Sequence, residues 1–136
     1  MKKTYNFWIY QGPAIAWALL IFILSSMPDV PVPKLKIELE DKILHVIAYT
    51  VLGYLTARAL FYQARFPGWR EKLLFIAISL GIFYGLSDEI HQYFVPGRVA
   101  DVADLIADGI GVILGVMVFR YRASLLRVIP VIKEDS

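Results

Sequence analysis

Four long apolar runs separated by short polar or Pro/Gly-containing breaks organise this chain, at about residues 7–27, 41–62, 72–92 and 100–120. Each run is close to the roughly 20 residues a helix needs to cross a bilayer's hydrocarbon core. The first carries Trp8, Tyr10 and Trp17 near its start, is interrupted by Gln11 and Gly12-Pro13, and is stopped by Pro28, Pro31 and Pro33. Leu35, Ile37 and Leu39 then alternate with Lys36, Glu38 and Glu40, a strip read as loop. In the second run Asp41 suits an N-cap or first turn. Asp41, His45 and Tyr49, spaced i, i+4, i+8, share one face, and Arg58 can snorkel from the far end. Residues 63–71 read as a polar loop. The third run is apolar up to Gly85 and then abruptly charged; the fourth follows Pro96-Gly97. Residues 121–136 read as a cytoplasmic tail lying along the surface until Pro130. The pattern predicts an all-α polytopic membrane protein, one domain over residues 1–136, with four transmembrane helices in a bundle.

Composition agrees: 58% of the 136 residues are hydrophobic, outside the usual range of soluble domains. The absence of cysteine excludes disulfides, thiolate metal sites and a Cys nucleophile, so a metal would need His and carboxylate ligands. Lys2-Lys3 ahead of an apolar run has the polarity of a signal peptide, but no small-x-small cleavage pattern follows Leu24, and the run is expected to be retained as a span. Ten of the fourteen basic residues (Lys2, Lys3, Arg58, Arg65, Arg70, Lys72, Arg120, Arg122, Arg127 and Lys133) fall on one side of that topology. The positive-inside rule then puts both termini in the cytoplasm of an inner or plasma membrane. Nine of the twelve acids fall on the other side.

The stretch from Tyr84 to Gly111 concentrates Asp88, Glu89, His91, Gln92, Arg98, Asp101, Asp104 and Asp108 about one Pro-Gly turn. Ionisable groups inside a membrane are costly and normally face a partner or a water-filled cavity. Pairing the third and fourth runs about Pro96-Gly97 sets His91 level with Asp101, Asp88 and Glu89 level with Asp104, and Gly85 level with Asp108. Asp101, Asp104 and Asp108 share a face that continues as Gly111 and Gly115, and Gly81 and Gly85 form a second small-residue pair. Such pairs let helices approach closely in lipid. His45 enters at the same depth and completes a pocket of two imidazoles and several carboxylates.

Three segments carry a resemblance to a known family: Ser25-Ser26-x-Pro28; Asp41-Lys42-x-x-His45-x-x-x-Tyr49-x-x-Leu52-Gly53; and Asp88-Glu89-x-His91-Gln92-x-x-Val95-Pro96-Gly97-Arg98-x-x-Asp101-x-x-Asp104, continued by Gly111-x-x-x-Gly115. The chain resembles the VanZ-like family, small membrane proteins named after a teicoplanin-resistance factor. The resemblance covers all four predicted spans and implies a four-helix membrane protein linked to cell-envelope stress. One departure is Asp108, where the family pattern has an amide.

Two classes of function remain open on the residues. In the first, an enzyme acts at the outer leaflet on a lipid-linked or phospholipid headgroup, by hydrolysis or by phosphoryl or acyl transfer. Glu89, His91, Asp104, His45 and Asp101 would be its catalytic groups, with His91, Glu89 and Asp104 able to hold a divalent metal ion. Arg98, Lys42, Gln92, Tyr49, Asp88 and Asp108 would contact the substrate, Arg98 through its bidentate fork. No Gly-x-Ser-x-Gly or His-Glu-x-x-His signature is present. In the second, the same groups bind a lipid or glycopeptide without chemistry or relay protons in a small transporter, which four helices would require to be a homo-oligomer. The expected partners are the bilayer and a lipid or lipid-linked substrate, with no nucleic acid. Ser25 and Ser26 read as backbone-bonded helix-end residues, and the Trp and Tyr residues as interface anchors.

Overall fold

The computed structural model describes residues 6–28, 38–63, 68 and 72–128, and the regular structure there is entirely helical. It comprises α1 (Phe7–Tyr10), α2 (Gly12–Ser25), α3 (Glu38–Tyr62), α4 (Leu73–Tyr93) and α5 (Val102–Val128). The strip at 29–37, the tail beyond 128 and, apart from Gln63 and Gly68, the loop at 63–71 lie outside the described residues.

The first apolar run is two helices, not one. Pro13 stands in the first turn of α2 and has no N–H for the carbonyl four residues back, that of Ile9. That carbonyl accepts instead from Arg58 Nη1 of α3 at 2.9 Å. Gln11, at the break, donates through Nε2 to Ala59 O at 3.0 Å. Arg58 therefore binds the interruption, its guanidinium also lying over the Tyr10 ring, in addition to any role at the membrane border.

The other boundaries differ where local signals were weak. α3 starts at Glu38, so Asp41 lies in its first turn and not at its cap. α5 runs past Arg120 to Val128, which makes residues 121–128 helix and not surface tail. No proline or glycine interrupts 116–129; charge marks the edge of hydrocarbon without ending a helix.

Interhelical bonds give the directions. Lys42 meets Asp101 and Asp104, His45 meets Asp108, and Tyr54 meets Arg122, so α3 and α5 run parallel. Their backbones nearly touch. A Cβ on Gly111 would fall against Val46 O and Thr50 N, one on Gly115 against Thr50 O, and one on Gly53 against Val112 O. The Gly111 and Gly115 stripe does mark a close seam, but its partner is α3 and not the sequence-adjacent α4. Gly81 and Gly85 do face α5, at Val112 and Asp108 respectively, so α5 packs against both α3 and α4. Trp17 Nε1 donates to Ala48 O at 2.9 Å and the Tyr84 hydroxyl donates to Ala18 O. Two rings expected at the interface thus bridge helices inside the bundle.

Outside, Phe22, Ile23, Ile47, Phe75, Phe83, Ile90, Ile106, Ile110 and Met117 are exposed, an apolar exterior far too extensive for water. Among the described residues, three helices are long and apolar enough to cross a membrane, over Glu40–Tyr62, Leu73–Tyr93 and Val102–Leu125. The buried interior divides by depth. Leu52, Ala57, Ala77, Val112, Val116 and Phe119 fill one part; Asp88, Glu89, Gln92, Asp104 and Asp108 fill the end where α3 and α5 begin and α4 finishes.

Candidate functional site

The turn that gathers the acids is local. Arg98 N donates to Val95 O at 3.1 Å, and Gly97 has φ of 85°. Pro at the second turn position and a left-handed Gly at the third is the arrangement of a type II turn. It reverses the chain so that the last turn of α4 faces the first turn of α5.

There the open N–H groups and positive end of α5 attract acids. Asp101 is its N-cap, its Oδ1 accepting from Ala103 N at 2.8 Å. Glu89 reaches across from α4, and its Oε2 accepts from Asp101 N at 3.0 Å. Asp104 sits in the first helical turn. Lys42 of α3 closes this layer, its Nζ donating to Asp101 Oδ2 and Asp104 Oδ1, both at 2.9 Å. Asp101 lies outside the spans, and the Lys42 ammonium, then the Ala103 N–H, hold its carboxyl below the ordinary carboxylate range.

One turn deeper, His45 Nδ1 donates to Asp108 Oδ1 at 2.8 Å. Asp108 is fully buried and packs on Gly85, where an added Cβ would lie 3.1 Å from its Oδ2. That places Gly85 level with Asp108, as pairing about the turn requires. With its Nδ1–H turned to a carboxylate, a neutral His45 carries its lone pair on Nε2. Asp88 Oδ2 accepts from the Tyr49 hydroxyl at 3.4 Å and from Gln92 Nε2 at 3.2 Å. Among the described residues, Asp88 Oδ1, Glu89 Oε1 and Asp108 Oδ2 are buried with no hydrogen-bond partner.

Of the side chains expected at the site, those of Lys42, His45, Tyr49, Asp88, Glu89, Gln92, Asp101, Asp104 and Asp108 thus converge at one end of the bundle, and His91 and Arg98 turn elsewhere. His91 turns toward α2: its Nε2 is 2.9 Å from Ser26 Oγ and its ring stacks on Phe22. The Ser26 hydroxyl already donates to Phe22 O at 2.7 Å, so His91 Nε2–H is the donor. Arg98 donates through Nε to Met27 O at 3.1 Å and through Nη2 to Leu24 O at 3.0 Å, meeting carbonyls in and just past the last turn of α2 as a cation at a helix C-terminus does. His91, Glu89 and Asp104 are not one of the groupings with metal-ligand spacing among the described residues. Those are Asp41, His45 and Asp104, and His45, Glu89 and Asp108.

Sequence reasoning missed Asp41 as a neighbour of Asp104 and Ser26 as the partner of His91. The i, i+4 spacing of Asp41 and His45 carried the first signal. The second lay in Ser25-Ser26-x-Pro28, which marks the end of α2 at the depth of the acids. Ser26 is backbone-bonded as expected; Ser25 is buried, and its hydroxyl has no partner among the described residues.

Comparison with curated proteins and with solved structures returns no match. The VanZ/LLP1 family model matches residues 5–127, a range that takes in every helix except the last residue of α5. With the Pro-Gly turn, the layered acids and the glycine seam all inside that range, the chain belongs to the VanZ/LLP1 family.

Proposed function

We propose that the protein is a cell-envelope membrane protein acting on the headgroup of a lipid or lipid-linked molecule at the extracytoplasmic face, with α1 and α2 together forming a fourth span and both termini cytoplasmic. The observation that carries this reading is the division of the interior by depth: ionisable groups fill one end and apolar side chains fill the rest. A headgroup site needs polar chemistry only at the level of the headgroups. A proton-coupled transporter needs it along the whole path, and Leu52, Ala57, Val112, Val116 and Phe119 stand where such a path would run.

In this reading His45 is the general base. Asp108 orients its ring and stabilises the imidazolium formed when Nε2 takes a proton from water or an acceptor hydroxyl. Glu89 is the second acid–base group, with Oε2 fixed by Asp101 N and Oε1 left over. Lys42, one-third exposed above Asp104, meets an anionic headgroup, and Arg98 lends the N–H groups not directed at α2. His91 positions α2 against α4.

The test is a lipid profile. Cells producing the wild type, His45→Ala or Glu89→Gln are compared by mass spectrometry of extracted envelope lipids and by teicoplanin susceptibility. Wild type should change one lipid-linked species and lower susceptibility. Each variant, present at wild-type level in the membrane, should lose both effects. Identical lipid profiles for wild type and variants would remove the enzyme reading and leave a binder.

A further inference from the structure

Asp88 and Glu89 are buried at the same end of the bundle as the His45–Asp108 pair, and among the described residues no lysine or arginine is paired with any of these three carboxyl groups. Asp88, Glu89 and Asp108 are 5%, 6% and 0% exposed. Lys42 is instead shared between Asp101 and Asp104. Each of the three acids also keeps one buried oxygen without a hydrogen-bond partner among the described residues. A buried ionised carboxylate is strongly unfavourable unless it is paired, hydrogen-bonded or bound to a metal.

Geometry singles out two of those acids. One ring nitrogen of His45 and one oxygen each of Glu89 and Asp108 lie within 4.8 Å of one another. Neighbouring ligands on a tetrahedral or octahedral ion with bonds of about 2.1 Å are about 3.0–3.4 Å apart, so closing the group takes side-chain rotation on the order of 1 Å. The second grouping, Asp41, His45 and Asp104, shares the imidazole but is a weaker host, because Asp41 is exposed and Lys42 already neutralises Asp104.

We infer that His45, Glu89 and Asp108 form a binding site for one divalent transition-metal ion, Mn²⁺ or Zn²⁺. One imidazole with two carboxylates suits such ions better than Mg²⁺, which takes oxygen ligands and keeps most of its water. Three protein ligands leave coordination positions open. Asp88, held by Tyr49 and Gln92, adds a further carboxyl group at the same end of the bundle. The site stands on its own geometry; with an ion bound, His45, Glu89 and Asp108 would serve as its ligands and the ion would activate the water that His45 deprotonates in its absence, a use that rests on the headgroup function proposed above.

The experiment uses the full chain purified in detergent, stripped with chelator and titrated with Mn²⁺, Zn²⁺ or Mg²⁺ alone. Elemental analysis gives stoichiometry, and electron paramagnetic resonance of bound Mn²⁺ reports coordinated nitrogen. The wild type should take up one Mn²⁺ or Zn²⁺ per chain, with a nitrogen coupling that His45→Ala removes. Glu89→Gln and Asp108→Asn should each weaken binding at least about tenfold, while Asp41→Asn and His91→Ala retain it. Each variant is checked for a monodisperse elution profile, and should Asp108→Asn fail that check, Glu89→Gln and the nitrogen coupling decide. No stoichiometric uptake by the wild type, or equal uptake by Glu89→Gln, overturns the site. So does loss in Asp41→Asn with retention in Glu89→Gln, which assigns any ion to the outer grouping. A wild type that changes the lipid profile yet binds no ion overturns this inference and leaves the proposed function standing; ion binding without a lipid effect does the reverse.

Discussion

Gly97 sits where the chain turns from α4 into α5, and its φ of 85° is a conformation that costs a residue with a Cβ about 1–2 kcal/mol. Gly97→Ala should therefore lower the stability of the detergent-solubilised protein by about that amount, and Gly97→Asn by less, since Asn tolerates the left-handed region better. Thermal unfolding of the three proteins side by side checks the order; an alanine variant as stable as wild type would mean the turn can adopt another form. Because Pro96 and Gly97 are adjacent and their backbone preferences are intrinsic, this turn could be read from the sequence, and with it the level of Gly85 against Asp108. Arg98 could not be read the same way. Its type allows a phosphate, a carboxylate or a row of carbonyls, and the choice depends on where Leu24 and Met27 end up, more than seventy residues away in the chain. His91 escaped for the same reason, its ring settled by Phe22 and Ser26.

At the level of helices, the seam between α3 and α5 is where substitution separates close packing from helix propensity. At Gly115 a Cβ would collide with backbone atoms of Thr50 and Tyr54, whereas at Gly109 it would meet nothing within 4 Å. Gly115→Ala must push two backbones apart and should cost about 1–3 kcal/mol, the usual range for overpacking. Gly109→Ala faces open space and should stabilise by up to about 1 kcal/mol through helix propensity. Denaturation midpoints moving in opposite directions bear this out, and a loss at both positions would count against the seam. Small-residue spacing made the close contact legible without its partner, because Gly111 and Gly115 say only that something approaches. Helix ends were legible where proline acts directly. At Arg120 charge was the only signal, and the helix simply leaves the hydrocarbon: 27 residues of α5 span about 40 Å at about 1.5 Å per residue, more than the roughly 30 Å hydrocarbon core.

For the molecule as a whole, the proposed arrangement rests on whether α1 and α2 cross the membrane together. Neither is long enough alone, and α2 has 14 residues. Laid end to end, residues 7–25 cover about 28 Å at about 1.5 Å per residue, close to the hydrocarbon thickness. Contacts at both ends favour a crossing. Gln11 bonds near the finish of α3 through Ala59, while Ser26 reaches His91 at the finish of α4. The unit therefore runs beside the other helices from one end of the bundle to the other. Since the natural chain has no cysteine, single cysteines can be read without background. Val99→Cys, exposed beside the acid cluster, should react with a membrane-impermeant maleimide on intact cells. Asn6→Cys and Ser124→Cys, both exposed at the opposite end, should react only after permeabilisation. Ser124 tests the orientation drawn from ten basic residues on one side, and Asn6 tests the fourth span separately. If Asn6→Cys labels from outside while Ser124→Cys does not, α1 and α2 do not cross as a unit. If all three labels reverse, the carboxylate and histidine cluster faces the cytoplasm, and any headgroup it meets belongs to the inner leaflet.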